Sequence, residues 1–303
     1  MRTMTDQPTD RTTDRTTDQT TTHMTGKTVL ITGGTNGIGK IAALELARMG
    51  ASVSIVARNK SKGQAVLEEI GRESNNVQLE LFIADLSSMA DVRRLAQEFT
   101  AKHGTLDVLL NNAGAFYNER KLSADGLEMT FALNHMSYFL LTNLLLPVLK
   151  NTPNSRVVSV SSLAHTSGKL DFANLQGEQK FNGWKAYGDS KLENALFTFA
   201  LARRLAGSGV SANCLHPGFV KTSFGDGNSG FFAMVLGVAK NLMAISVEAG
   251  AQTMIHLASS PDVTGVTGKY FDKSKVVSSS TASLDQAVQE QLWAHSEKLA
   301  GLG

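Results

Sequence analysis

The sequence predicts an α/β fold with a doubly wound parallel sheet of about seven strands and helices on both faces. Three observations carry this prediction. From Lys27 onward, short apolar runs alternate with segments of helical period. The runs are apolar throughout rather than at every second residue, as in parallel strands covered on both faces. A glycine cluster follows the first run and opens the first helix, a strand–turn–helix arrangement suited to anion binding.

Lys27–Thr32 reads as a buried strand, and Ile38–Met49 as a helix stopped by Gly50. Ser52–Ala57 is the second strand and Lys60–Arg72 the second helix. Val77–Ile83 and Met89–His103 repeat the pair, and Leu106–Asn111 is the fourth strand. Gly126–Lys150 forms one long helix or two. Arg156–Val160, the helix Trp184–Ala206 and the strand Val210–Leu215 continue the alternation. Val247–Ser259 is a helix and Lys269–Phe271 a short final strand. No linker interrupts this run, so residues 25–303 are expected as one domain.

Residues 1–24 are set apart. Ten of the first 23 residues are Thr, in near-repeats such as Arg11–Asp14 and Arg15–Asp18, so no apolar face forms and a disordered tail is expected. The tail lacks the roughly 7–15-residue apolar core of a secretory signal. No stretch reaches about 18 consecutive apolar residues, so no membrane span is expected. A net charge of +2 argues against nucleic acid as a partner. The single cysteine, Cys214, excludes an internal disulfide, reads as a small core residue and fits a cytoplasmic location. Seven scattered His lack metal spacing, so no metal is expected; His135 and His165 read as packing residues beside the site.

The chemistry-bearing segments fall on strand ends. The first strand runs into Thr32-Gly33-Gly34-Thr35-Asn36-Gly37-Ile38-Gly39, where Gly lets the backbone approach a ligand. The helix that follows offers unpaired N–H groups to a pyrophosphate. The second strand ends at Ala57-Arg58, with Lys60 and Lys62 close behind. An acidic residue there would select NAD, whereas Arg58 suits the 2′-phosphate of NADP. Asp85-Leu86 closes the third strand; the carboxylate either accepts an adenine amino group or belongs to the next helix cap with Ser87 and Ser88. Asn111, Asn112, Ala113 and Gly114 close the fourth strand and would support backbone and cofactor.

Tyr187 and Lys191 are four apart on a predicted helix, which sets a phenol beside an ammonium. The cation is expected to lower the Tyr pKa from about 10. Ser159-Val160-Ser161-Ser162 ends the fifth strand, and a hydroxyl there would polarise a substrate oxygen.

With these residues in place, the chain resembles the short-chain dehydrogenase/reductase superfamily over residues 25–303, and most of all its retinol dehydrogenase-like branch. TGGTNGIG (32–39), NNAG (111–114), Asn134, Ser162, Tyr187/Lys191 and HPGFVKT (216–222) carry the superfamily match. RVVSVSSLAH (156–165), YGDSKLENALFT (187–198), LARRLAGSGV (201–210) and LWAHSEKL (292–299) carry the branch. The spacing of 25 residues from Ser162 to Tyr187 also matches it. The resemblance implies a Rossmann fold and an NADP(H)-preferring oxidoreductase that interconverts an alcohol and a carbonyl. Tyr187 would be general acid in reduction and base in oxidation. Lys191 would hold the nicotinamide ribose, and Ser162, the second serine of its pair, would bind the carbonyl oxygen. Asn134 would kink its helix and anchor a proton-relay water. Gly33, Thr35, Asn36, Gly37, Ile38, Gly39, Arg58, Asp85, Leu86, Asn111 and Ala113 would line the cofactor site with Tyr187 and Lys191. Pro217, Gly218, Val220 and Thr222 would complete it around the nicotinamide.

Ser223–Ser246 carries Gly225, Gly227 and Gly230 and then turns apolar, as a lid over a lipophilic retinoid-, steroid- or aliphatic-like substrate would, an oligomer contact and plain core being the other readings. The resemblance implies homodimers or homotetramers formed through two long helices; Leu140–Leu149 and Leu192–Leu205 either supply such faces or are spent on the sheet. Two other readings stand beside this one: a silent NAD(P)-binding sensor or scaffold, and a double-bond or pigment reductase of the same fold.

Overall fold

A computed structural model describes residues 23–218 and 245–303. The Thr-rich segment before them, Val220, Thr222 and most of the expected lid lie outside the described residues. Met24 belongs to the fold rather than to a tail. Its side chain is buried, and its N–H donates to the Met49 carbonyl at 3.1 Å.

The expected alternation is present. The first half comprises β1 (Thr28–Thr32), α1 (Gly37–Arg48), β2 (Ser52–Ala57), α2 (Lys60–Ser74), β3 (Leu79–Ile83), α3 (Met89–Lys102) and β4 (Val108–Asn111). Where one long helix or two are expected, a short α4 (Met129–Phe131), a π-helical turn (Ala132–Met136) and α5 (Ser137–Lys150) follow one another without a break. Then come β5 (Arg156–Val160), α6 (Gly183–Arg204), β6 (Ser211–Leu215), α7 (Val247–Ser259) and β7 (Tyr270–Asp272). The chain ends with β8 (Lys275–Val277), α8 (Thr281–Leu284) and α9 (Gln286–Ala300).

One sheet holds all the described strands, in the order β3-β2-β1-β4-β5-β6-β7-β8. Every pair is parallel except β7–β8. Side chains alternate across it. Leu30 joins Leu109, Phe99, Phe139 and Phe197 on one face, and Ile31 joins Val53, Leu46 and Met254 on the other.

Three elements exceed the sequence reading, β8, the short α8 and α9. β8 is an edge strand of a hairpin whose turn residues Lys273 and Ser274 both have positive φ, 47° and 61°. Lys-Ser is not the Asn-Gly type of signal that marks such turns in a sequence. The stripe that α9 buries mixes Leu292 and Trp293 with Gln289 and Ser296, which breaks the apolar period. Those polar groups are paired: the Gln289 amide donates to the Ser283 carbonyl at 2.7 Å, and Ser296 Oγ lies 2.8 Å from His135 Nε2.

α9 lies across α6 and α5. Trp293 stacks on Phe197 with centroids 5.9 Å apart and meets Phe139 edge-on at 4.9 Å. Leu140, Leu141, Leu145 and Leu149 of α5 are buried within this one chain, as are Leu192, Leu196, Leu201 and Leu205. The faces expected to meet a second subunit are therefore largely covered from inside. Met129–Lys150 is also long and apolar enough by composition to cross a membrane, yet 72% of its most apolar window is buried, so core packing explains its apolarity.

Candidate active site

The sheet order reverses between β1 and β4, the switch point at whose carboxyl ends open α/β sheets bind their ligands. Gly33 has φ +68°, and a Cβ there would meet Ala113 Cα at 2.9 Å. A Cβ on Gly39 would lie 2.4 Å from the Gly33 carbonyl oxygen. Glycine is thus required for the turn and for packing of α1 against it. Asn36 caps α1, its Oδ1 accepting from the Gly37 N–H at 2.9 Å. The first turn of α1, with Ile38 half-buried, carries no acidic residue, so its positive end is not neutralised. Thr35 is half-buried in the same turn. This cradle fits the pyrophosphate of a dinucleotide.

The β4 end braces the cradle. Thr32 Oγ1 accepts from the N–H groups of Asn112 (2.9 Å) and Ala113 (3.1 Å). Asn112 Nδ2 donates back to the Thr32 and Gly33 carbonyls at 2.9 and 3.1 Å. Asn112 is thus the amide that shapes the loop. Asn111 is fully buried, and its Nδ2 donates to Thr142 Oγ1 on α5 at 2.9 Å. The expectation that the Asn111 side chain supports the cofactor is corrected: strand alternation turns it into the core.

Arg58 stands exposed directly after β2, with Lys60 and Lys62 in the first turn of α2. Asp85 and Leu86 follow β3. The Asp85 carboxylate accepts from the Ser87 N–H (3.0 Å) and hydroxyl (2.7 Å), while Ser88 caps α3. Asp85 is therefore engaged in the local turn, and the buried Leu86 packs in the core.

Ser162, Tyr187, Lys191 and Asn134 converge. Ser161, the neighbour of Ser162, is turned away and donates to the Lys191 carbonyl at 2.7 Å. Ser162 Oγ accepts from the Ala164 N–H at 3.2 Å and hydrogen-bonds Tyr187. Lys191 is buried; its Nζ lies 5.7 Å from the Tyr187 ring centre and donates to the Val160 carbonyl at 3.2 Å. Burial lowers the Lys191 pKa to about 8. Burial also pushes the Tyr187 phenol up to about 12, against a downward pull from Ser162. The phenol is thus raised rather than lowered: burial dominates, and the group that pulls it down is Ser162 rather than Lys191.

Asn134 lies in the π turn, a local departure from α geometry. Its Oδ1 accepts from the Ala115 N–H at 2.9 Å. Its Nδ2 donates to the Ala115 carbonyl (2.9 Å) and to Ser190 Oγ (3.0 Å). A Cβ at Gly114 would lie 3.3 Å from Asn134 Oδ1 and 3.4 Å from Lys191 Nζ, so the missing side chain lets amide and ammonium approach the same point. Tyr138, unread in the sequence, is buried 6.0 Å beneath that ammonium.

Pro217 and Gly218 follow β6 at the same edge. Gly218 has φ +79°, and its N–H donates to His216 Nδ1 at 3.2 Å. His216 Nε2 faces Asp272 Oδ1 at 3.5 Å. Tyr270 lies between His216 and His165, with ring centres 5.9 and 4.7 Å away. No local pattern in the sequence links these three residues. Phe116 packs edge-on to Tyr187 at 6.1 Å and against Trp184 at 4.9 Å, which makes an aromatic wall beside the phenol.

Fold and crevice together define a dinucleotide-binding α/β protein. Residues 27–229 match the short chain dehydrogenase family. Human retinol dehydrogenase 13 is 40% identical over 282 residues, covering 91% of this chain and 85% of that protein. Mouse retinol dehydrogenase 14 is also 40% identical, with 92% and 87% covered. An uncharacterised protein from Mycobacterium paratuberculosis superposes with a TM-score of 0.74 at 32% identity, covering 92% of this chain and 94% of its own. The Pseudomonas aeruginosa RhlG/NADP active-site complex gives 0.66 at 27%, with 83% and 96% covered. The chain belongs to the short-chain dehydrogenase/reductase family of NAD(P)-dependent oxidoreductases, on its retinol dehydrogenase-like branch.

Proposed function

We propose that this enzyme interconverts an alcohol and a carbonyl on a lipophilic substrate, prefers NADP(H), and uses Tyr187 as its acid/base. The observation that carries the reading is the convergence of Ser162 and Lys191 on the Tyr187 phenol at the crevice edge. The Gly33–Gly39 cradle would hold a nicotinamide nucleotide, which when bound would supply or accept the hydride. Ser162 donates a hydrogen bond to the substrate oxygen, where negative charge grows during reduction. The Tyr187 hydroxyl delivers the proton to that oxygen, and in oxidation the phenolate removes it. The Lys191 ammonium, beneath the ring, favours the phenolate whenever it forms. Asn134 Oδ1 and Lys191 Nζ flank Gly114, where a water linking Lys191 to solvent would lie.

Substrate class rests on the Phe116–Trp184 wall and the exposed Leu163 beside Ser162, and on relatives named retinol dehydrogenases. Cofactor choice rests on Arg58 with Ala57 in the acidic position, and on solved relatives such as the Burkholderia cenocepacia enzyme in complex with NADP. The reading includes a cytoplasmic location, supported by the unpaired, buried Cys214 and testable by fractionation.

Turnover of NADPH and NADH against a broad carbonyl panel tests this function. Retinoid, steroid or long aliphatic carbonyls are expected to outperform keto-sugars, and equal turnover of keto-sugars overturns the substrate class. Tyr187→Phe is expected to abolish hydride transfer. Arg58→Ala is expected to weaken NADPH far more than NADH; an unchanged ratio overturns the cofactor preference. The same panel separates this reading from a double-bond reductase.

A further inference from the structure

We propose that His165 and Tyr270 are positioning residues that clamp the main chain of Ser162 and so aim its hydroxyl at Tyr187. The inference rests on the reading of Ser162 and Tyr187 above.

Ser162 ends β5 and opens a 3-10 turn over Leu163–Ser167. Its carbonyl oxygen lies 2.7 Å from His165 Nδ1, and the Tyr270 hydroxyl donates to it at 3.3 Å. A carbonyl only accepts, so Nδ1 carries the imidazole proton. The other ring nitrogen confirms this tautomer. Nε2 accepts from the Ser280 N–H at 3.3 Å, and Ser279 Oγ is 3.2 Å away. The backbone N–H of Ser280 has no other role than donor, so Nε2 is unprotonated. His165 is therefore held neutral, in keeping with the burial that lowers its pKa.

The imidazole is wedged. It is almost wholly buried and stacks on Tyr270 with rings inclined by 29°. Three donors meet on that carbonyl, the His165 backbone N–H at 3.0 Å, His165 Nδ1 and the Tyr270 hydroxyl, and the two side chains add to the turn's own bond in restraining the peptide plane between Ser162 and Leu163. That plane sets where Oγ points as the chain leaves β5. A misplacement of about 1 Å at such a group is enough to cost about 10²-fold in rate. The proton route proposed above runs through Tyr187 and Lys191 and uses neither His165 nor the Tyr270 hydroxyl. Their action on the reaction passes through Ser162 alone.

A double-mutant cycle tests this. The full-length protein carries His165→Phe, Tyr270→Phe or His165→Asn, alone and in a Ser162→Ala background, with kcat, KM and NADPH affinity measured for each. Tyr270→Phe removes only a hydroxyl, so it keeps the test alive if His165→Phe fails to fold. His165→Phe is expected to lower kcat about tenfold and Tyr270→Phe about threefold, with NADPH affinity and KM nearly unchanged. His165→Asn keeps a donor and is expected to recover part of the loss. In the Ser162→Ala background both Phe substitutions are expected to have no further effect on kcat. Losses that multiply in that background, or a wild-type kcat in both single Phe variants, overturn the clamp while leaving the function intact. A wild-type kcat in Ser162→Ala itself overturns the reading of Ser162, and the clamp with it.

Discussion

Ser161 and Ser162 are neighbours of the same chemistry placed in different surroundings. Ser161 ties β5 to α6 through the Lys191 carbonyl, whereas Ser162 reaches Tyr187. Ser161→Ala is therefore expected to cost about 1 kcal/mol of stability and little activity. Ser162→Ala is expected to lose about 10²–10³-fold in kcat with little change in Tm. Thermal melts and kinetics on both variants check the contrast. The raised pKa of Tyr187, about 12, keeps the phenol protonated through the neutral range. Its kcat/KM for reduction is expected to stay level there and fall only in alkali, while oxidation climbs with pH as phenolate forms. Profiles in both directions test this, and a reduction rate that falls with rising pH below neutrality contradicts it. Lys191 titrates at about 8 in the fold against 10.5 for the free group. Between those values the unfolded chain binds more protons, so this group's contribution to stability rises with pH. Urea unfolding at the two ends of that window should show the rise in the wild type, with that contribution removed in Lys191→Met.

At the scale of elements, α9 is the one whose docking matters most. Trp293 contacts Phe139, Phe197 and the Arg204 guanidinium, the last at 4.0 Å from the ring centre. Trp293→Ala is expected to cost about 3–5 kcal/mol by leaving a cavity between α9, α5 and α6. Glu290 also bridges Arg204 and Arg203, which hold its carboxyl down at about 2. The folded pKa is below the ordinary value, so this contribution is present above about 4.5 and fades as pH falls toward 2. The pair is half-exposed, so Glu290→Gln is expected to cost under about 1 kcal/mol. Denaturation of the two variants should separate apolar docking from charge pairing. A larger loss in Glu290→Gln than in Trp293→Ala would reverse the assignment.

For the whole molecule, the covered α6 face bears on assembly. Residues 188–202 of α6 are all buried by the sheet, α9 and the 3-10 turn after Ser162. Pairing of this α6 face with a second copy would compete with α9 for the same surface. Light scattering of the wild type is accordingly expected to give the monomer mass of 32.4 kDa. Trp293→Ala is expected to associate, because it loosens the cover over Phe139 and Phe197. A stable wild-type dimer that Trp293→Ala leaves unchanged would mean another surface is used.

The sequence by itself determined the alternation of strands and helices, the glycine turn, the Tyr187–Lys191 spacing and Arg58 at a strand end. Those signals are local: a hydrophobic period, a glycine requirement, residues four apart on one helix. The tertiary structure alone decided that Asn112 rather than Asn111 braces the crevice, and it gave Tyr187 a raised pKa rather than a lowered one. It also brought His165 to Tyr270, 105 residues on, and laid α9 over the long helices. Side-chain direction, desolvation and distant contacts arise only when separate elements pack, and no window of sequence contains both partners.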